Sequence, residues 1–230
     1  MQPESITLPG RTAPITWRRS ARARRISLRI EPRAGGVIVT LPARASVAAG
    51  RAVLATYRDW VAERLARLPL PVVLGHGATV MLDGAPRQIR HRPDARGTTW
   101  LEGGDIHVAG HAAFIERRVV DWLRTQARRQ LGQLAREKAA GAGLGLRRVT
   151  IKDTSSRWGS CTASGTVMFS WRLVMAPPFV QDYVVGHEVA HLRHMNHGAE
   201  FWALADRLTP HRSVANAWLS ANGAGLMRVG

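Results

Sequence analysis

The chain has 230 residues, enough to bury a sizeable core, and a net charge of +17 from 33 basic residues against 16 carboxylates, which makes its surface attractive to polyanions. No run approaches the roughly eighteen apolar residues of a membrane span, so no membrane partner is expected, and the start MQPESITLPGR lacks the apolar segment of a secretory signal. A single cysteine, Cys161, excludes an intrachain disulfide and fits a reducing compartment, so a cytoplasmic location is expected.

Ile26, Leu28 and Ile30 alternate with polar residues, as do Val37, Val39 and Leu41 beyond the turn at 33–36, and this predicts a β-hairpin with one buried face. Ser46 is placed to cap an amphipathic helix running to about Leu68, with Val53, Leu54, Tyr57, Trp60, Val61 and Leu65 on its apolar side. Pro69 and Pro71 end it. Turns at Asp83-Gly84 and Gly103-Gly104 predict a second small β region.

A long helix is expected from His111 to about Ala140, turning Phe114, Ile115, Val119, Trp122, Leu123, Leu131 and Leu134 inward. Its other face carries a basic stripe formed by Arg117, Arg118, Arg124, Arg128, Arg129 and Arg136. Glycines at 141–145 break this helix before a strand at 148–152. The polar segment Thr154–Ser160 then separates that strand from a second strand-like run, Thr166–Trp171. The pattern predicts an N-terminal β-rich region with one amphipathic helix over 1–110 and a compact catalytic half over 111–230.

Residues 187–197 read HEVAHLRHMNH. On a helix, His187 and His191 lie about 40° apart around the axis and about 6 Å apart along it, so both imidazoles can meet one ion. Glu188 is about 100° round from His187, placed to act as a base toward a metal-activated water and not as a ligand. A catalytic zinc takes three protein ligands, and His194, His197 and Glu200 are the candidates for the third. His194 lies about 10 Å along the axis from His187, too far on a straight helix. Asn196 enters the left-handed region cheaply and Gly198 follows, so the helix is expected to end near Met195 and swing His197 inward. His197 is therefore the favoured third ligand, with Glu200 the fallback and His194 either supporting the site or facing solvent. The flanking Tyr183, Val184, Val185, Val189, Ala190 and Leu192 predict a largely buried helix, in which two histidines and a carboxylate would be costly without a function.

The stretches RWGSC at Arg157–Cys161, FSWRLVMAPP at Phe169–Pro178 and DYVVGHEVAHLRHMNHGAEFWAL at Asp182–Leu204 together resemble the YgjP-like metallopeptidase family, which is related to the SprT-like proteases. RRSARARRISLRIEP near the start and FIERRVVDWLRTQARRQL in the middle extend the resemblance over nearly the whole chain. It implies an α+β, zincin-like catalytic domain, with zinc held by His187, His191 and His197 and with Glu188 as the acid/base. It also implies that the run Thr166–Trp171 lies beside the zinc helix as an edge strand, where an extended peptide can add by main-chain hydrogen bonds. Arg157 and Ser160 would then contact a substrate carbonyl, carboxylate or phosphate; a structural turn in which Arg157 pairs an acid is the alternative.

The expected activity is therefore zinc-dependent hydrolysis of a peptide bond in a peptide or protein. Hydrolysis of a nucleoside triphosphate is a second possibility, suited to the arginine content but lacking a GxxxxGK[ST] phosphate loop. A third is a basic module with structural zinc that binds nucleotide or nucleic acid, for which the cysteine ligands are missing. Cys161 reads as a small packed residue and not a nucleophile. Phe201, Trp202, Leu204, Ala205 and Leu208 are expected beneath the zinc helix, Trp218 and Leu219 to anchor a last short helix, and Asp206 or His211 is a lesser candidate to orient an imidazole.

Overall fold

In the computed structural model, which describes residues 4–230, the chain forms two compact units with the boundary between Pro71 and Val72. The first unit contains strands β1 (Ser5–Leu8), β2 (Arg11–Ser20), β3 (Ser27–Glu31) and β4 (Gly36–Pro42). They form one sheet in the order β1-β2-β4-β3, with β2 and β4 parallel and the other pairs antiparallel. The expected hairpin is β3–β4, with Leu28 opposite Val39 and Ile30 opposite Val37. β1 and β2 went unread in the sequence because Pro14 interrupts the second. Pairing of β2 with β4 starts only at Ile15, so the missing N–H of Pro14 costs that ladder nothing.

One face of this sheet buries Ala13, Val37, Val39 and Leu41. The covering helices are α1 (Val47–Thr56), which contacts β4, and α2 (Arg58–Ala66), which contacts β3. The Ser46 hydroxyl accepts the Ala49 N–H at 3.0 Å, as the cap required. The single helix expected to about Leu68 is instead kinked at Tyr57, whose φ of −100° and ψ of 21° leave the helical region. The Thr56 hydroxyl donates to the Ala52 carbonyl at 3.1 Å, a local bond that bends helices, while the Tyr57-to-Val53 and Val61-to-Tyr57 backbone bonds persist. Leu54, Val61 and Leu65 are buried, but Tyr57 and Trp60, expected to point inward, are 54% and 37% exposed.

The second unit opens with a four-stranded sheet of β5 (Thr79–Leu82), β6 (Ala85–Arg92), β7 (Thr99–Glu102) and β8 (Asp105–Ala109), in the order β5-β6-β8-β7. Asp83 and Gly84 join β5 to β6 with φ of 52° and 77°, the doubly positive turn that Asp-Gly supplies most cheaply. Strands β7 and β8 pack on α3 (Ile115–Gly141), which buries Ile115, Val119, Leu123, Ala127, Leu131, Ala135 and Ala139 along one stripe. The boundary expected near residue 110 therefore falls inside this unit. Arg118, assigned to the exposed basic stripe, turns back to donate to the Ala109 carbonyl, and Phe114 is exposed.

A three-stranded sheet follows, with β9 (Arg148–Lys152), β10 (Gly159–Cys161) and β11 (Thr166–Ser170) in the order β10-β11-β9. The run expected as an edge strand is thus the central one. Val167 and Phe169 are buried, β9 pairs it in parallel on one side, and β10 folds back antiparallel on the other and takes the edge. A buried 3-10 turn, Trp171–Met175, leads to α4 (Pro178–Ala190), α5 (Ala199–Leu208) and α6 (Arg212–Leu226). Helix α4 packs against α3, α5, α6 and β10. The last helix, expected to be short, runs for 15 residues. No described helix is long and apolar enough to cross a membrane.

Arg172 is fully buried in this unit. Its guanidinium donates to the Val229 carbonyl from Nε at 3.1 Å and from Nη2 at 2.8 Å, to the Gly230 carbonyl at 3.0 Å and to the Asp153 carboxylate, and it lies 4.3 Å from the Trp171 ring centre. Removing it strands two carbonyls and takes a partner from the Asp153 carboxylate at once. Arg172→Met is expected to lower stability by ~3 kcal/mol, read as a lower urea midpoint with little change in denaturant slope.

Candidate metal centre

Helix α4 is buried on most sides, and its last turn carries His187 and Glu188, with His191 closing it. The helix ends at Ala190, earlier than expected, and His191 keeps helical angles of −65° and −16°. Tight backbone bonds from Leu192 to Val189 and from Arg193 to Ala190 then turn the chain. Asn196 does not take the left-handed conformation anticipated for it, and Gly198 has a φ of −79°. The reversal is made instead by these tight bonds and by the His191 ring, whose Nδ1 contacts the His194 carbonyl at 2.9 Å.

That turn brings His197 to the two helical histidines. The candidate ligand atoms of His187, His191 and His197 all lie within 4.8 Å of one another. The Nε2 atoms of His187 and His197 are 3.2 Å apart. Two nitrogens held tetrahedrally by one ion at about 2.0–2.1 Å would be separated by about 3.3 Å, so this pair already has the required spacing. A carbonyl only accepts, so the Nδ1 of His191 carries the proton and its Nε2 keeps a lone pair for an ion. Burial, then the neighbouring His191, His197 and Arg212, pushes the His187 imidazole down to about 4. His191 is also lowered, chiefly by burial. Both rings are thereby held in the neutral form that a metal requires. Phe201 lies 4.4–5.0 Å from all three rings and Trp202 5.6–5.9 Å from His187 and His197, forming an aromatic wall from α5.

The other candidates take different places. Glu200 is exposed and stands outside the cluster; His194 contributes its carbonyl and not its ring. Asp206 is 3.8 Å from Arg212, and His211 meets Phe179 edge-on at 6.1 Å. Sequence reasoning missed Arg212, whose guanidinium carbon lies 3.4 Å from the Trp202 ring centre and whose charge acts on His187. No local motif marks a residue fifteen positions beyond the cluster.

Glu188 is 7% exposed, and burial pushes its carboxyl up to about 7 against the opposing charge of Arg157. Arg157 itself is exposed, with no side-chain hydrogen bond or ion pair among the described residues, so the acid partner envisaged for it does not appear. Ser160 is half-buried on β10, opposite Met168. Cys161, also half-buried, has its thiol raised to about 11, mainly by burial and then by Glu188, which leaves it protonated and unreactive near neutrality.

Gly159 is the residue on which Glu188 rests. A Cβ built there would lie 2.5 Å from the Glu188 Cγ, 2.7 Å from Oε1 and 2.8 Å from Cδ. Space, not backbone conformation, is what requires glycine at this position.

Three imidazoles converging beside a buried carboxyl are the donor set of a metal-dependent hydrolase. The chain belongs to the YgjP-like family: the model for the YgjP-like metallopeptidase domain matches residues 24–222. Neither a curated protein nor a solved structure matches it. Membership of a peptidase family implies a peptide or protein substrate.

Two expectations follow. Gly159→Ala should cost ~2 kcal/mol where Glu188 is present and almost nothing in a Glu188→Ala background, measured as a double-mutant cycle of unfolding free energies. Secondly, a carboxyl raised in the fold from 4.5 to about 7 supplies stability that is complete below pH 4.5 and lost as pH rises through 7. Metal-free Glu188→Gln should therefore match the parent at pH 4 and exceed it by ~3 kcal/mol at pH 8 in urea titrations. The histidines are common to both proteins and cancel from the comparison.

Proposed function

We propose that this protein is a zinc-dependent peptidase, with a zincin-like catalytic domain, that cleaves peptide bonds in extended polypeptides. The observation that carries the proposal is the juxtaposition of three convergent imidazoles with a buried carboxyl that gains and loses its proton near neutrality. His187, His191 and His197 would hold the ion. Among the described residues no fourth histidine, cysteine or carboxylate joins them, which favours a catalytic over a structural centre. When bound there, zinc supplies Lewis acidity toward a substrate carbonyl and makes water easier to deprotonate.

The chain's own groups perform the proton transfers. Glu188, pressed against Gly159 with its carboxyl poised near 7, takes a proton from the attacking water on a carboxylate oxygen and returns it to the departing amine nitrogen. β10, the edge strand in contact with α4, offers main-chain groups to an extended peptide. Arg157, two residues before that strand, and Ser160, on it, would contact the substrate, and the exposed guanidinium of Arg157 would stabilise the oxyanion that develops on the carbonyl. Phe201 and Trp202 limit water behind the histidines.

Metal content and turnover should separate in two variants. Glu188→Ala is expected to retain bound zinc and lose at least ~10³-fold in hydrolysis of unfolded proteins, whereas His187→Ala loses the metal itself. The check is metal analysis beside an assay of unfolded proteins and nucleoside triphosphates. Turnover of the triphosphates alone, abolished by the same variant, would replace the peptidase proposal with a phosphohydrolase.

A further inference from the structure

Charge is distributed unevenly along this chain. Residues 1–71 hold thirteen arginines and four carboxylates, a net charge of +9 in less than a third of the length. Between Ser5 and Arg58 the only carboxylate is Glu31. Several arginines are occupied structurally: Arg11 donates to the Leu65 and Gly35 carbonyls, Arg19 to those of Ala43 and Ala45, and Arg58 to that of Thr7. Arg22, Arg24 and Arg25 are different. All three are exposed and have no hydrogen-bond or ion partner among the described residues.

These three precede β3, an edge of its sheet, and the chain there borders a groove of about 380 Å³. Arg25, Ile26, Ser27 and Leu28 form one side, and Val53, Tyr57 and Trp60 the other. The kink at Tyr57 leaves Tyr57 and Trp60 exposed across the groove from Arg25, with Arg22 and Arg24 just before it in the chain, and the Arg64 guanidinium stands 5.9 Å from the Trp60 ring centre. Exposed aromatic rings beside unpaired guanidiniums match a ligand that alternates flat, stackable groups with anionic ones. A single-stranded nucleic acid has that composition; in a duplex the base faces are already stacked and unavailable. An acidic peptide would satisfy the arginines but would leave the rings without stacking partners.

We propose that the N-terminal unit binds single-stranded nucleic acid in this groove, with bases stacked on Tyr57 and Trp60 and phosphates on Arg22, Arg24 and Arg25. The proposal does not depend on the peptidase activity. It is tested with the full-length chain by fluorescence anisotropy of a labelled deoxythymidine oligomer of about 16 nucleotides, over about 50–200 mM salt. Three phosphate contacts predict that log affinity falls against log salt with a slope of about −2. Trp60→Leu should weaken binding at least ~10-fold at every salt concentration without changing the slope, and Trp60→Phe, which keeps a ring, should retain most of it. The pair Arg22→Ala and Arg25→Ala should flatten the slope, whereas Arg128→Ala with Arg129→Ala, on α3, leaves binding intact. The proposal is overturned if the Trp60 variants bind alike, if the α3 arginines carry the binding, or if a duplex or a polyglutamate of equal charge competes as well as the oligomer.

Discussion

The second unit is organised around the cost of desolvating α4. A helix packed against three other helices and a strand carries two imidazoles and a carboxyl at its buried end, and each would be more stable charged in water than where it stands. The fold meets this cost by keeping the groups neutral. Burial lowers the two imidazoles and raises the carboxyl to about 7, so the imidazoles present lone pairs and the carboxyl is available both with and without its proton near neutrality. Neutral imidazoles are what a metal ion would bind, and the ionised carboxyl is what the proposed proton abstraction would use, so packing prepares both.

Arg172 shows the opposite solution in the same core. There the charge is kept, because a guanidinium can be surrounded by carbonyls, a carboxylate and an aromatic face within the reach of its five donors. Among the described residues the carboxyl of Glu188 has no comparable ring of donors, and the nearby guanidinium of Arg157 is exposed and only partly offsets its burial. One buried ionisable group is thus tied rigidly into structure, while the other is left able to change its protonation. The difference lies in the groups themselves, since a guanidinium keeps its proton in any protein setting and a carboxyl does not, as well as in the partners supplied.

How much was legible in the sequence followed the range of the interactions. Spacing within one helix placed His187, Glu188 and His191, and alternation placed the hairpin β3–β4, because both depend on near neighbours. His197 was found, but for a partly mistaken reason: the reversal rests on tight backbone bonds and on a side-chain contact to a carbonyl, neither of which has a residue-type signature. The edge position of β10 was hidden because three residues carry too little pattern to be read as a strand. Gly159 was read as an interruption, since its contact with Glu188 joins elements 29 positions apart. Tyr57 and Trp60 were read as core by periodicity, but the helix breaks at Tyr57 and both are exposed.

The bond from the His191 ring to the carbonyl of residue 194 has an evolutionary corollary. Every amino acid supplies that carbonyl, so the tautomer of the ligand is specified by the main chain and not by what occupies position 194. Selection on the metal centre consequently places little demand on that side chain. Other side chains can stand at that position while the nitrogen that His191 would present to a metal stays the same.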